Sequence, residues 1–274
     1  QIMNDINYHR ISAFIYFLLF IPVFYPAWVS LALLWNGDNG DYSHGFLILI
    51  ISAYLLIKQL SQRSAFTGDF SYLCLIVLTF LSFVWSLTLL ASIQIGYQLL
   101  IPCMLLLSMT SLFGIKNAKS FIFPSLYLIF AIPIWGVLTV PLQMMAVFVN
   151  THLLGLINIP AFIDGFYVSI PAGTFEVAGG CSGVRYLMVS LSLFSLYAFD
   201  NYNRWSNRII LVVVAIVVGI ATNWIRIFII IVAGQATNME SSLVKDHDFF
   251  GWIVFAVALI PLFMFALKLP DWLS

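Results

Sequence analysis

The chain has 274 residues, of which 62% are hydrophobic and only 8% are charged. Soluble domains carry roughly 25% charged residues, so this composition excludes a soluble globular protein and predicts one that crosses a lipid bilayer several times. The formal net charge is zero, which gives no general attraction to nucleic acid. We therefore expect lipid, and no nucleic acid, around the protein.

Apolar stretches of about 20 residues, the length that crosses a bilayer as a helix, recur along the chain. They predict an all-α polytopic membrane protein with eight transmembrane helices in a single domain over residues 1–274. The predicted helices cover residues 11–35, 44–60, 71–92, 94–113, 120–140, 182–199, 209–234 and 250–268.

Basic residues lie almost entirely on one side of these helices. Eight lysines and arginines fall on the side of the termini, whereas the opposite loops are acidic and contain only Lys245. Because basic loops stay in the cytoplasm, both termini are predicted to be cytoplasmic. The eight are Arg10, Lys58, Arg63, Lys116, Lys119, Arg204, Arg208 and Lys268, and the outer acidic residues are Asp38, Asp41, Asp164, Glu176, Glu240, Asp246 and Asp248.

The segment 141–160 is apolar enough for a ninth span, but a span here would put Arg204 and Arg208 outside. We therefore expect an amphipathic or re-entrant helix on the outer face. Residues 166–177 follow, with alternating apolar positions around a Pro-Ala-Gly turn. This pattern predicts a small β-hairpin that lies on the membrane and leads directly to Cys181.

Two arginines enter the predicted membrane interior. Arg226 lies eight residues before Gly234, at the outer end of its helix, which places it roughly 12 Å below that end. Arg185 lies one turn inside the preceding helix, also from the outer side. Since an arginine at mid-membrane costs about 2.5–3.5 kcal/mol, the pair indicates a functional site in the outer leaflet. The structural alternative is an arginine that only pairs with Glu176 or a main-chain carbonyl.

Cys181 stands four residues before Arg185 in the sequence. We expect it to begin the helix that carries Arg185, so that the two share one face. A helix N-terminus and a nearby guanidinium both favour the thiolate, which is the nucleophilic form. Gly179, Gly180 and Gly183 leave the backbone uncrowded, so that amide groups can point at a developing oxyanion. The alternative is a cysteine that serves only packing.

His247 is predicted to lie at the same depth as Cys181, where an imidazole can carry a proton. A nucleophile, a fixed cation at Arg226 and a proton carrier together meet the needs of acyl transfer through a thioester. The alternative is a histidine in an ordinary solvated loop. Cys74 and Cys103 lie in apolar stretches, where we expect inert thiols. No metal-ligand spacing occurs, and we expect neither a metal nor a cofactor.

Four short motifs resemble the exosortase/archaeosortase family. They are "DYSHGFLI" at 41–48, "CSGVR" at 181–185, "NWIRI" at 223–227 and "HDFFG" at 247–251. Their order and their positions relative to the predicted helices also resemble that family, and the resemblance extends over nearly the whole chain. "CSG" alone would be weak, whereas the ordered set is specific.

The resemblance implies a bacterial exosortase, a thiol protease and transpeptidase of the inner membrane whose active site faces the periplasm. Its substrates would be membrane-anchored precursor proteins with a C-terminal sorting signal. Such a signal has a short motif of the Pro-Glu-Pro type, a transmembrane helix and a basic tail. The resemblance assigns catalysis to Cys181, Arg226 and His247. The subfamily, its sorting motif and the acyl acceptor stay open.

Further residues are predicted to bind substrate or to support the site. They are Arg185, Ser182, Asn223, His44 and Glu176, and Asp38 and Asp41 are candidates for the entrance. The alternative function is a transporter whose anion path is lined by Arg185, Arg226 and Asn223. A thiol oxidoreductase would need paired outer cysteines, and serine or metal proteases would need a GxSx or HExxH motif, none of which is present.

Overall fold

The structure is a computed structural model that describes residues 20–37, 42–62 and 70–272. Asp38 and Asp41, the candidates for the entrance, lie outside these residues. The chain forms two compact units, Gln1–Ile134 and Trp135–Ser274. The described part is mostly helical, as predicted, and contains one small sheet.

The first unit consists of helices. They are α1 (Tyr25–Trp35), α2 (Gly45–Gln62), α3 (Tyr72–Leu90), α4 (Gln94–Phe113) and α5 (Ala118–Leu126). An apolar core holds them together, with buried Phe24, Trp85, Met104 and Phe121 among its members. His44, a predicted site residue, belongs to this unit, where its Nε2 lies 3.0 Å from the carbonyl oxygen of Phe130.

The predicted helix 120–140 is wrong in its extent. The α-helix ends at Leu126, and two 3₁₀ turns follow, Tyr127–Ala131 and Pro133–Leu138. Ile132 between them is extended, with φ −103° and ψ 141°, as expected for a residue before a proline, where the α conformation is sterically disfavoured. The stretch is apolar throughout, so hydropathy alone did not reveal the break.

The second unit contains the predicted catalytic residues. Its helices are α6 (Thr139–Leu156), α7 (Val184–Asn201), α8 (Trp205–Thr237), α9 (Ser242–Lys245) and α10 (His247–Trp272). Its strands are β1 (Phe162–Asp164), β2 (Tyr167–Ile170) and β3 (Gly173–Glu176). Buried apolar residues of α6, α8 and the sheet form one core cluster, which includes Leu154, Val168 and Ile231.

The sheet is an antiparallel meander in the order β1-β2-β3. The predicted hairpin is confirmed as β2 and β3, and β1 is an addition. A turn with Gly165 at φ +60° joins β1 to β2, and the Asp164-Gly165 dipeptide is a hairpin signal that the sequence analysis did not use. Val168 and Ile170 are buried, so this face of the sheet packs on the core.

Five helices in the described part are long and apolar enough to cross a membrane. Four coincide with predicted spans, and the fifth, Pro133–Leu156, contains much of the segment 141–160 that we expected on the outer face. Helices α1 and Gly45–Leu60 are apolar but shorter. The prediction of eight spans is therefore not confirmed. The four are Tyr72–Leu90, Gln94–Phe113, Trp205–Thr237 and Phe249–Leu269.

Helix α7 is predicted as a span but is not among these five. It packs along α8 and touches α10 through ring contacts from Tyr186 to Phe255 at 5.1 Å and from Phe194 to Phe263 at 4.7 Å between centroids. Much of it, including Ser190 and Ser192, is buried by protein. A helix surrounded by other helices needs less apolar surface than one that faces lipid, which explains its more polar composition.

Helices α7 and α8 approach closely at Gly219, as small residues allow in membrane helices. A Cβ there would lie 3.2 Å from both the Leu187 Cα and the Tyr186 carbonyl oxygen. Nearby, the Ser190 hydroxyl donates a hydrogen bond of 2.8 Å to the Ala215 carbonyl.

We expect Gly219→Ala to lower the melting temperature of the detergent-solubilised protein, because main-chain atoms cannot turn away and the helices must separate. Overpacking of this kind costs about 1–3 kcal/mol. Gly155→Ala in α6 is the matched control, since nothing lies within 4 Å of its Cβ position. It should leave the melting temperature unchanged or raise it, because alanine favours helix by about 1 kcal/mol over glycine. Equal melting temperatures for both variants would contradict close packing at Gly219.

Candidate active site

Cys181 lies in a short turn before α7 and not in the helix itself. It ends the 3₁₀ turn Gly179–Cys181, and α7 begins at Val184 after Gly183, which has φ +90°. The expectation that Cys181 and Arg185 share a helix face is therefore wrong, because the left-handed residue between them breaks the helical register. The thiol is partly accessible.

The main-chain N–H groups of Cys181 and Ser182 form hydrogen bonds within this turn. The Cys181 N–H donates to the Ala178 oxygen at 2.8 Å, and the Ser182 N–H donates to the Gly179 oxygen at 3.1 Å. Neither of these two amides is therefore available to an oxyanion. Ser182 is buried, and its hydroxyl accepts a long hydrogen bond of 3.4 Å from the Val184 N–H. Its role in the structure is to shape the turn.

Asn223 of α8 fixes the turn from the other side. Its Nδ2 donates a 2.8 Å hydrogen bond to the Cys181 carbonyl oxygen, and its side chain is 1% exposed. Gly183 lies directly against this side chain, since a Cβ there would come within 2.8 Å of Asn223 atoms. Both the positive φ and the lack of space require glycine at this position.

Cys181 and His247 both line one cavity of about 230 Å³. Residues of β3, including Glu176, line one side of it, and apolar residues of α8 line the other. Cys181 and His247 are the only cysteine and histidine among its lining residues in the described part. Its remaining walls are Thr174, Phe175, Val177, Ile227, Ile230, Ile231, Met239 and Val244.

Arg226 is buried beside this cavity, with 2% of its surface exposed. Its guanidinium donates to the main-chain oxygen of His247, from Nη2 at 3.1 Å and from Nε at 3.4 Å. The guanidinium carbon also lies 5.8 Å from the centre of the Tyr186 ring, within the range of a cation–π interaction. The direct effect of Arg226 is thus to fix the first residue of α10.

Gly251 of α10 lies directly against the side chains of Arg226 and Tyr186. A Cβ at Gly251 would lie 2.7 Å from Arg226 Nε and still closer to the Tyr186 hydroxyl. Neither Gly251 nor Tyr186 was among the predicted site residues. Gly251 is nevertheless the last residue of the "HDFFG" motif, and that motif is the signal that points to it.

Arg185 lines a second, very small cleft together with Arg226. The cleft holds about 10 Å³ and is also lined by Gly180, Gly183, Tyr186 and Trp252, which is space for about one water molecule. Arg185 and Arg226 thus lie at one cleft beside the Cys181 turn, next to Gly180 and Gly183. The structure does not place Arg185 on the cavity of Cys181 and His247.

The loop before His247 is held by exposed polar contacts. Lys245 forms a 2.7 Å ion pair with Glu240, and this hydrogen-bonded ammonium lowers the pKa of the Glu240 carboxyl. Such an exposed pair contributes little to stability. The Asp246 carboxylate accepts a long hydrogen bond of 3.5 Å from the Phe249 N–H, which is the contact of a residue that caps a helix N-terminus.

A family model described as transmembrane exosortase matches residues 13–264. The match spans nearly the whole chain, includes Cys181, Arg226 and His247, and confirms the resemblance found in the sequence. No curated protein and no solved structure matches the chain.

Gly183 and Gly180 offer a matched pair of substitutions in the same turn. We expect Gly183→Ala to destabilise the protein by roughly 1–3 kcal/mol, the range for a residue held in an unfavourable backbone conformation, and to displace Asn223. Gly180→Ala should leave stability unchanged, because nothing lies within 4 Å of its Cβ position. Melting temperatures in detergent distinguish the two. Similar losses for both would show that the turn does not depend on the geometry described.

Proposed function

Since the chain belongs to the transmembrane exosortase family, we propose that it is a cysteine-type endopeptidase and transpeptidase that cleaves C-terminal sorting signals of membrane-anchored precursor proteins. The observation that carries this proposal is the single cavity lined by both Cys181 and His247. A thiol and an imidazole at one accessible site are the pair that thioester chemistry requires.

The proposed reaction has two steps. His247 takes the proton of the Cys181 thiol, and the thiolate attacks the peptide carbonyl carbon. The C–N bond then breaks, the leaving amine receives the proton from His247, and a thioester forms on Cys181. Water or an incoming amine attacks that thioester, expels the thiolate and releases a carboxylate or a new amide. No oxidation or reduction occurs in either step.

Arg226 acts in this proposal through His247. Its two hydrogen bonds end on the His247 main-chain oxygen, so it positions the imidazole relative to Cys181. The N–H groups of Gly180 and Gly183, next to the Cys181 turn, are our candidates for donors to the oxyanion.

The proposed location is the bacterial inner membrane, with cytoplasmic termini and an active site that faces the periplasm. The asymmetric distribution of lysine and arginine supports this orientation. Precursors anchored by a transmembrane helix would meet the cavity at the outer surface. The acyl acceptor is not specified by this proposal.

The first test uses a tagged precursor that ends in Pro-Glu-Pro, a transmembrane helix and a basic tail, co-expressed with the enzyme. Wild type should convert it to a shorter form on a gel. Cys181→Ala and Cys181→Ser should lose conversion by a factor on the order of 10³ or more, as expected when a nucleophile is removed.

Cys103→Ser is the control, because Cys103 is an exposed cysteine of α4 that the mechanism does not use. It should process the precursor as wild type does, at equal membrane levels of all variants. Conversion by Cys181→Ala at the wild-type rate would exclude the thioester mechanism.

A second prediction concerns Arg226. We expect Arg226→Lys to lower kcat on the order of 10²-fold with little change in KM, because an ammonium lacks the planar fork of donors and a misplaced catalytic group costs about this much. Arg208→Lys is the control. Arg208 donates to the Tyr202 oxygen at 2.8 Å and to the Phe199 oxygen at 3.3 Å, and it does not line the cavity. Equal kcat for both variants would remove the positioning role of Arg226.

A further inference from the structure

The strand β3 has one paired edge and one open edge. The sheet order is β1-β2-β3, so β3 pairs with β2 only. The Val177 N–H donates a 2.9 Å hydrogen bond to the Phe166 oxygen, which marks this pair as a hydrogen-bonded one. In an antiparallel ladder such pairs alternate, so Phe175 and Gly173 also bond to β2. The main-chain groups of Thr174 and Glu176 therefore point to the open edge.

The open edge faces the cavity of Cys181 and His247. Thr174, Phe175, Glu176 and Val177 all line that cavity. Successive side chains of a strand point to opposite faces of the sheet. A cavity that touches four consecutive residues therefore meets the strand along its edge, where the main chain is accessible. Thr174 and Glu176 are also exposed.

The two ends of this edge are defined by contacts. Near Gly173 the edge is closed by Met239, which would lie 3.1 Å from a Cβ at that glycine. The ladder ends at Val177, whose N–H still bonds to β2 but whose oxygen accepts a 2.8 Å hydrogen bond from Gln143 Nε2. The chain then turns into the loop that carries Cys181. The free donors and acceptors of β3 thus form a short row that leads toward the thiol.

We infer that the substrate's extended segment beside the scissile bond adds to this edge as a fourth strand. This inference rests on the proposed function and specifies how its substrate is recognised. Main-chain hydrogen bonds to Thr174 and Glu176 hold the segment, and these bonds do not depend on the side chains of the substrate. Alternate side chains of the added strand face Ile227, Ile230 and Val244, which selects peptides with apolar residues at every second position.

The test compares cleavage of the tagged precursor by variants of both sheet edges. Thr174→Pro removes an edge N–H and places a ring where the substrate strand would lie. We expect it to lower the cleavage rate at least about tenfold, since a lost hydrogen bond to a buried partner has an effect of this order. Ile163→Pro on β1 is the control and should cleave the precursor as wild type does. Ile163 pairs with Val168, whose main-chain groups bond to β3, so the Ile163 N–H also points away from the sheet.

A direct measurement of docking complements the rates. In the variant with Cys74→Ala, Cys103→Ala and Cys181→Ala, Thr174→Cys is combined with single cysteines placed along the precursor segment. Strand addition predicts disulfide cross-links at every second precursor position. A cleavage rate for Thr174→Pro equal to that of Ile163→Pro, or cross-links at consecutive positions, would overturn the inference.

The two proposals fail in different ways. If wild type does not cleave the precursor, the proposed function fails, and the cross-links in the Cys181→Ala variant still report whether the segment binds at β3. If wild type cleaves but the cross-links do not alternate, only the strand addition is wrong. If Thr174→Pro proves unstable in detergent, the cross-linking pattern alone decides the question.

Discussion

The hydrogen bonds from Arg226 to the His247 main-chain oxygen are the interaction on which the site depends. A guanidinium that is 2% exposed must have its donors satisfied, because burying a charge without partners is costly. Here the first residue of α10 supplies the acceptor, and the Tyr186 ring covers the cation from α7. The approach is so close that any side chain at position 251 would displace Arg226 or Tyr186. The position of His247 is therefore a consequence of satisfying one buried charge.

Helix α8 also positions Cys181, the proposed nucleophile. Asn223 lies three residues before Arg226, so both side chains leave the helix on neighbouring parts of one face. Asn223 holds the Cys181 oxygen, and Arg226 holds the His247 oxygen. One rigid helix thus sets the separation of the two candidate catalytic residues through their main chains. Next to this pair, Ile227, Ile230 and Ile231 line the cavity, which explains why an apolar surface lies directly beside two polar anchors.

The sequence predicted Cys181 and His247 as site residues, and in the structure both line one cavity. It also predicted the helices with long apolar stretches and the hairpin of β2 and β3. The sequence-based predictions were wrong where the backbone conformation of single residues determines the structure. Hydropathy does not register the end of α5 before Pro133, and it gives no sign that Gly183 is left-handed and separates Cys181 from α7. The sequence also did not reveal the hydrogen-bond acceptor of Arg226. Any main-chain carbonyl oxygen could have served, and only the packing of α10 selects the oxygen of His247.

The sheet constrains how α6 and the membrane are arranged. Outer strands leave main-chain donors and acceptors without partners, and such edges are not tolerated in the hydrocarbon interior. Helix α6 buries Ala146, Val147 and Leu154 in the cluster shared with Val168, while Val140, Met144 and Phe148 are exposed. Helix α6 thus packs on the sheet on one side and exposes apolar side chains on the other, and the helix Pro133–Leu156 is long and apolar enough to cross a membrane. The open edges of the sheet then need water or protein beside them. In the proposed function, the precursor would be extended where it leaves its membrane helix, and an extended chain is the conformation that an open strand edge binds.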